Sequence, residues 1–203
     1  MTAKSRPIKG SSHKSPSVRK REITDAAALC FGHAGYYATS IDQVAKKAGL
    51  SKGSVYRAFA SKEELLLAIL DHFEEDIDKI MLESAQFELS PLSKIKLTME
   101  KIGIYLKDNE HLLRVWNEFM YLDFSRGQYG KMMEKNRAMV TGLVVEGVNE
   151  GEIRDLPVDA VVDILMSFLL GLFELSVTFD DFELSERLEK SWGALSIMLL
   201  NDQ

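Results

Sequence analysis

The stretch of sequence that decides the fold spans residues 35–65, which read GYYATSIDQVAKKAGLSKGSVYRAFASKEEL. Its apolar residues recur at the spacing of two short helices: Ile41, Val44, Ala45 and Ala48, and then Val55 and Phe59. Between these helices, Gly49 permits a tight turn and Leu50 fills the gap. Thr39 or Ser40 caps the first helix and Ser51 caps the second. The stretch therefore predicts a helix-turn-helix.

The flanking segments add one helix before this motif and a long one after it. Residues 16–35 have a single apolar face, made of Ile23, Ala26, Ala27, Cys30, Phe31 and Ala34. Ser61 and Glu64 have the spacing of a capping box, in which the Ser61 hydroxyl accepts from the Glu64 amide and the Glu64 carboxylate reaches back. The box opens a helix whose apolar stripe is Leu66, Ile69, Leu70, Phe73, Ile77 and Ile80.

The rest of the chain has helical spacing as well. We predict helices over residues 90–106, 109–122 and 131–149, another from Pro157 onward, and a last one over residues 185–200. Residues 125–130 are expected to break the chain, since they contain two glycines. These segments predict an all-α fold with about nine helices and no strand.

The charge is divided unevenly along the chain. The formal net charge is −6, yet residues 1–62 hold 12 Lys and Arg against 3 Asp and Glu, while residues 63–203 hold 13 against 28. The first part therefore carries +9 and the second −15. A basic front on an acidic body indicates two different tasks, and the basic part suits the phosphates of a nucleic acid.

Several classes of protein are excluded or disfavoured by composition. A single Cys excludes a disulfide scaffold, a cysteine zinc cluster and an iron–sulfur centre. His33, His72 and His111 are scattered without metal-ligand spacing, and no catalytic triad, acid pair or phosphate loop is present. We therefore expect neither an enzyme nor a cofactor. Cys30 lies on an apolar helix face, which favours an inert core thiol over a redox sensor.

The location is expected to be the cytoplasm, without a membrane. The basic N-terminus is not followed by an apolar run, so no secretory signal is expected. The longest uncharged apolar run covers the ten residues 164–173, which is short against the roughly 20 that a membrane span needs.

The second helix of the helix-turn-helix has the features of a DNA-reading helix. Such a helix presents polar residues at its N-terminal end to the major groove. That end carries Ser51, Lys52, Gly53, Ser54, Tyr56 and Arg57. Gly53 removes a side chain where the helix and DNA could approach closely.

Together these residues resemble the signature of the tetracycline-repressor (TetR/AcrR) family. The matching positions are Gly35-Tyr36, Thr39-Ser40-Ile41, Val44-Ala45, Ala48-Gly49-Leu50-Ser51, Gly53-Ser54-Val55-Tyr56, Phe59 and Ser61-Lys62-Glu63-Glu64-Leu65. The resemblance covers about residues 19–66 and implies a homodimeric transcriptional regulator. Its DNA affinity would fall when a small molecule enters the C-terminal domain. The implied organisation is a DNA-binding domain (17–62) and an effector-binding and dimerisation domain (63–203). Residues 1–16 before them are basic and cannot bury apolar area, so their composition predicts a disordered tail.

The resemblance also implies roles for single residues. Thr39 and Ser40 would bind a phosphate at the start of the second helix, and Lys62 would bind one at the start of the fourth. Lys52, Ser54 and Arg57 would face base edges or phosphates, and Tyr56 would lie against the DNA backbone. Ala58 departs from the family, whose members often carry an aromatic residue or His there, so one phosphate contact would be missing.

The acidic body is expected to hold an apolar or amphipathic effector. Methionines and aromatic residues are dense from Trp116 onward, which suits an adaptable cavity as well as a core. The predicted lining residues are Trp116, Phe119, Met120, Tyr129, Met133, Met166, Phe173 and Glu174. Glu118 or Glu174 could face the cavity and select a cation or a hydrogen-bond donor.

The last two helices are expected to form the homodimer interface. Residues 161–175 are apolar nearly all round, and Leu184, Leu188, Trp192, Leu195 and Leu199 form a stripe on the last helix. Paired across a two-fold axis, these helices would make a four-helix bundle. Two alternatives stay open: an all-helical small-molecule-binding protein or enzyme whose front helices dock a protein partner, and a regulator gated by a protein or by redox at Cys30.

Overall fold

The computed structural model describes residues 15–122, 126–179 and 181–201. In these ranges the chain forms nine helices: α1 (Pro16–Ala34), α2 (Ile41–Lys47), α3 (Lys52–Ala58), α4 (Lys62–Ala85), α5 (Pro91–Asp108), α6 (Glu110–Phe119), α7 (Arg126–Asn149), α8 (Val158–Thr178) and α9 (Leu184–Leu199). The described ranges contain no strand, only an isolated bridge between Ile153 and Leu200. The predicted all-α fold is confirmed.

The basic tail ends earlier than predicted. Residues 1–14 lie outside the described residues, so disorder there stays a prediction. Ser15 and Pro16, by contrast, start α1. The Ser15 hydroxyl accepts a hydrogen bond from the Val18 amide at 3.3 Å, and Pro16 occupies the first turn, where its missing N–H costs nothing.

The first three helices pack into a small unit around one apolar centre. Ile23 and Phe31 of α1, Val44 of α2 and Val55 of α3 are all buried there. α1 contacts both α2 and α3, and it also packs against α4 and α6. The predicted three-helix unit is therefore attached to the rest of the molecule through α1.

The crossing of α1 and α6 requires a glycine. A Cβ atom on Gly32 would lie 2.5 Å from the backbone oxygen of His111 and 2.8 Å from its Cα. Because both atoms belong to the α6 backbone, they cannot move aside as a flexible side chain could. Gly32 thus lets the three-helix unit, which is the candidate DNA-binding unit, sit directly on the first turn of α6.

The larger domain is built around α5. This helix contacts α4, α6, α7 and α9, while α8 packs against α6, α7 and α9. The stripe on α9 that we predicted as the dimer face is instead buried within the single chain, and it consists of Leu184, Leu188, Trp192, Leu195 and Leu199. That part of the interface prediction is wrong, because α5 and α8 cover the stripe.

The predicted break at residues 125–130 is wrong over residues 126–130, which form the first turns of α7. Tertiary contacts outweigh the glycine penalty here. The Tyr129 ring packs against Trp116 at a centroid distance of 5.4 Å, and Gln128 Nε2 donates to Asp71 Oδ1 at 2.6 Å. Helix propensity, at about 1 kcal/mol for Gly, is overridden by such packing.

α8 is the most apolar helix of the described chain. Over its 21 residues, it is long and apolar enough by length and composition to cross a membrane, although the longest uncharged run is shorter. Only 28% of an apolar 18-residue stretch of this helix is buried within the chain. Val161, Val162, Leu165, Leu172 and Phe173 face the core, which leaves a second apolar face of α8 exposed.

Candidate DNA interface and ligand cavity

The third helix is held on the surface by two buried anchors and a tight turn. Val55 and Phe59 are buried, so the opposite side of α3 faces outward. Gly49 has a φ of +67°, in the left-handed region that a glycine adopts without strain. The Leu50 amide donates to the Ala45 carbonyl at 2.8 Å, which closes the turn between α2 and α3.

The outward side of α3, from its N-cap to its last turn, presents the polar residues that the sequence predicted for it. Ser51, Lys52, Gly53, Tyr56 and Arg57 are exposed, and Ser54 is half-buried. Tyr56 has 49% of its surface exposed, so it is no core tyrosine. Nothing lies within 4 Å of a Cβ atom built on Gly53, which leaves the helix open to close approach.

Two side chains of this surface have partners within the chain. Lys52 Nζ donates to Asp42 Oδ2 of α2 at 2.7 Å, and this hydrogen bond raises the pKa of Lys52. Arg57 Nη2 donates to the Ser54 hydroxyl at 2.9 Å. Both pairs are on the surface and solvated, so a phosphate or base edge can replace the partner.

The start of α2 separates the two residues predicted to bind a phosphate there. Ser40 is exposed, and it forms a capping box with Gln43. Thr39 is 2% exposed, and its hydroxyl donates to the Gly35 carbonyl at 2.8 Å and to the Cys30 carbonyl at 3.1 Å. Thr39 therefore ties the turn to α1, and the prediction of a phosphate contact is corrected to Ser40 alone.

Lys62 is directed at aromatic rings. Its Nζ lies 4.4 Å from the centroid of the Tyr36 ring, and it donates to the Tyr37 carbonyl at 3.3 Å. Burial lowers the pKa of Lys62, and the nearby Glu118 carboxylate partly offsets that effect. A cation at the first position of a helix opposes the helix dipole, and the negative ring face of Tyr36 relieves it. Lys62 therefore clamps the turn before α2, and its phosphate contact stays a prediction.

Glu118 of α6 meets the same turn from the other side. Its Oε2 accepts a hydrogen bond from the Tyr36 amide at 2.7 Å, across 82 residues of sequence. Neighbouring Gly35 has a φ of +85°, and a Cβ atom built on it would lie 3.5 Å from Glu118 Oε1. Glu118 therefore faces the DNA-binding unit and does not face the cavity, as the sequence had left open.

An apolar cavity of about 90 Å³ lies between α4, α5, α6, α7 and α8. Six of the nine methionines of the chain line it, namely Met81, Met99, Met132, Met133, Met139 and Met166. Phe73, Trp116 and Phe173 supply aromatic surface. A cavity that binds benzene measures roughly 150 Å³, so this one is smaller, and methionines are the side chains that best adapt to a larger guest.

The comparison with known proteins begins at the helix-turn-helix. Residues 23–69 match the family model described as bacterial regulatory proteins, tetR family. These residues run from α1 to the first turns of α4 and include the whole surface described above. The chain belongs to the TetR family.

Relatives and solved structures extend this likeness over most of the chain. The transcriptional repressor KstR2 of Rhodococcus jostii (strain RHA1) is 28% identical over 167 residues, which cover 75% of each chain. A TetR transcription regulator from Haloarcula marismortui has a TM-score of 0.80 at 22% identity, covering 91% of this chain and 100% of the other. FadR from Bacillus subtilis, solved in complex with stearoyl-CoA, has a TM-score of 0.79 at 20% identity, covering 88% and 98%.

As a TetR-family protein, the chain is a DNA-binding transcriptional regulator and not an enzyme. Its partners are DNA and a small-molecule effector. No group of three or more metal-binding side chains is present in the described ranges. Burial raises the pKa of the Cys30 thiol, which makes the reactive thiolate scarcer and gives the redox alternative no support.

The cavity of this TetR-family chain contains half of the predicted lining residues. Trp116, Met133, Met166 and Phe173 line it, whereas Phe119, Met120, Tyr129 and Glu174 do not. Phe119 and Tyr129 pack against Trp116, at centroid distances of 6.0 and 5.4 Å. Glu174 is exposed on α8, so its predicted role as a selector inside the cavity is wrong.

Sequence reasoning missed the walls contributed by α4 and α5, and one polar residue. Met81 and Met99 lie on ordinary apolar stripes, which the sequence predicts as core. Asn136 was missed as well. It interrupts an apolar stripe of α7, with Met132 and Met133 one turn before it and Met139 and Val140 one turn after it. A lone amide on such a stripe is the signal that could have identified it.

Proposed function

We propose that the chain is a homodimeric repressor that binds a palindromic operator and leaves it when an apolar or amphipathic small molecule fills the cavity. The observation that carries the proposal is that α4 and α6 each contact both the cavity and the turn that leads into α2. α4 lines the cavity with Phe73 and clamps the turn before α2 with Lys62. α6 lines the cavity with Trp116 and holds the same turn with Glu118.

The DNA surface proposed for this repressor consists of the exposed residues of α2 and α3. It comprises Ser40, Ser51, Lys52, Gly53, Ser54, Tyr56 and Arg57. In a helix-turn-helix, the N-terminal residues of the second helix contact base edges while neighbouring groups contact phosphates. The acidic remainder of the chain repels DNA, which restricts binding to this end.

The dimer is proposed to form through the outer faces of α8 and α9. On α8 the exposed or half-buried residues Ile164, Phe168, Gly171 and Leu175 follow the spacing of one helix face. On α9, Ile197 is 70% exposed. A Cβ atom on Gly171 or Gly193 would meet nothing within 4 Å, so a second copy can approach closely there. Such a regulator would act in the cytoplasm, where the DNA is.

Release of DNA requires that the effector binds the DNA-free arrangement of the dimer more tightly than the DNA-bound arrangement. Two recognition helices of a dimer fit successive major grooves about 34–36 Å apart. A guest larger than the cavity pushes Trp116 and Phe73 outward. Their movement displaces α6 and α4, and with these helices the turn before α2. A ligand that prefers the released form by about 100-fold shifts the equilibrium by about 2.7 kcal/mol. FadR with stearoyl-CoA shows a protein of this fold holding a ligand with a long apolar chain.

Fluorescence anisotropy on a selected operator fragment tests the DNA-binding half of this proposal. Affinity should fall steeply with salt, because binding releases counterions from the phosphates. Arg57→Ala and Tyr56→Ala should each weaken binding about tenfold or more. Lys79→Ala removes a positive charge from the acidic body and serves as the matched control, which should bind like the parent. A salt-independent affinity, or equal effects at Arg57 and Lys79, would overturn the proposal.

A further inference from the structure

Asn136 brings a polar group to an otherwise apolar part of the cavity wall. It lies on α7 and lines the cavity together with its helix neighbours Met132, Met133, Met139 and Val140. Its side-chain oxygen Oδ1 is shielded from solvent and has no hydrogen-bond partner. Buried polar groups in proteins are nearly always paired, so an orphan of this kind needs a reason.

The rotation of α7 fixes this amide in place. Lys135, one residue before it, pairs with Glu74 and Asp78 of α4, and its Nζ lies 3.4 Å from Glu74 Oε1. Arg137, one residue after it, pairs with Asp163 of α8. Ion pairs to the helices on both sides therefore hold Asn136 between them, directed at the cavity.

The remainder of the lining decides what kind of group the amide can meet. Among the described lining residues, Thr98 is the other one with a hydroxyl or amide side chain, and none is charged. The Thr98 hydroxyl already donates to the Lys94 carbonyl at 2.8 Å. A carboxylate or ammonium group would lack a counter-charge here and would be costly to bury, whereas a neutral donor would satisfy Oδ1.

We propose that Asn136 anchors a neutral hydroxyl group on an otherwise apolar effector. The hydroxyl donates to Asn136 Oδ1 and accepts from Nδ2, while its carbon skeleton lies among the methionines. The inference rests on the proposed function, since it assigns the chemistry of the effector of that same cavity. It makes Asn136 a specificity-determining residue, and it excludes an ionised group from this part of the cavity.

A matched series of straight-chain probes tests the anchor by isothermal titration calorimetry on the full-length protein. The series comprises hexanol, octanol and decanol, each compared with its methyl ether and with the carboxylate of equal length. At least one alcohol should bind about tenfold more tightly than its ether, because the ether accepts but cannot donate. It should exceed the carboxylate by at least as much. Equal binding within each set, or no binding by any alcohol, would overturn the anchor.

Asn136→Leu separates a ligand-binding role from a structural one. The change should abolish the preference for the alcohol over the ether. It should also raise the Tm of the ligand-free protein by about 2 °C or more, because it removes an unpaired buried oxygen. Thr98→Val is the matched control and should keep the preference. A lower Tm for Asn136→Leu, with the preference retained, would identify Asn136 as a structural residue and overturn the proposal.

The two proposals fail separately. If the alcohols bind with the expected preference but no operator fragment is bound at any salt concentration, the repressor proposal fails and the anchor stands. If operator DNA is bound and released by an ionised ligand as readily as by an alcohol, the repressor proposal stands and the anchor fails.

Discussion

At the scale of single residues, Glu118 joins α6, which lines the cavity, to the three-helix unit formed by α1, α2 and α3. Its carboxylate accepts the hydrogen bond of the Tyr36 amide at 2.7 Å, at the turn that leads into α2. Glu118→Ala leaves that amide without this acceptor, which should lower the free energy of unfolding by about 1–2 kcal/mol. It should also raise the effector concentration needed for release, because α6 then moves without pulling the turn. Urea unfolding and operator release as a function of effector measure the two effects.

Glu118→Gln is the control for that prediction. The amide side chain keeps an acceptor oxygen of the same reach, so most of the stability and most of the coupling should be retained. The prediction fails if the Gln and Ala variants behave alike, since the shared loss would then be one of charge. It also fails if Glu118→Ala changes stability but leaves the release curve unmoved.

Thr39 and Lys62 show where sequence reasoning stops at this scale. Their residue types and positions resemble phosphate ligands, and the sequence places both next to the DNA-reading helix correctly. Whether a hydroxyl faces outward or inward depends on a turn that it helps to close, as Thr39 does with the carbonyls of Cys30 and Gly35. The Tyr36 ring and the Tyr37 carbonyl that receive Lys62 lie 26 and 25 residues earlier, so periodicity in one helix could not indicate them.

At the scale of helices, the α1–α6 crossing leaves no room for a side chain at Gly32. Gly32→Ala puts a methyl group 2.5 Å from the His111 backbone oxygen, so α6 must shift away from α1. Overpacking of this kind costs about 1–3 kcal/mol. We expect a lower Tm and weaker operator binding, because the DNA-binding unit is displaced relative to the dimer. Thermal unfolding and anisotropy on the same preparation give both values.

Gly142→Ala separates this effect from the general effect of alanine in a helix. Gly142 is exposed on α7, and a Cβ atom there would meet nothing within 4 Å. Because alanine favours the helix by up to about 1 kcal/mol over glycine, this variant should be slightly more stable than the parent. Equal Tm shifts at residues 32 and 142 would contradict the packing argument.

The helices themselves were largely predictable, because most of them carry clear caps and an apolar stripe. Reasoning from helix breakers and apolar stripes gave a wrong prediction at two places. The start of α7 contains glycines, yet it is helical and contacts Trp116 and Asp71 of other helices. The stripe on α9 is as continuous as a dimer face should be, yet one chain already covers it with α5 and α8. A stripe indicates burial, and the neighbour that buries it belongs to the tertiary structure.

At the scale of the whole molecule, the division of charge corresponds to the division of the fold. The part that carries +9 includes the exposed surface of α2 and α3, and the part that carries −15 includes the cavity and the outer faces of α8 and α9. One chain contributes one recognition helix, and a single half-site gives little specificity. The proposed dimer therefore has a specific requirement: its acidic domains must hold the two recognition helices at a fixed distance.

The outer face of α9 provides the test of that requirement. Ile197 is 70% exposed in the single chain, so Ile197→Glu should leave the fold intact. In the proposed dimer each copy then brings a carboxylate into the interface, where burial and repulsion disfavour association. Sedimentation should then show monomers, and operator affinity should fall about 100-fold or more, although Arg57 and Tyr56 are unchanged. Leu82→Glu, at a residue 61% exposed on α4, is the matched control and should stay dimeric. A dimeric Ile197→Glu protein with full operator affinity would contradict the proposal that α9 lies in the interface, because a charge buried there must weaken association.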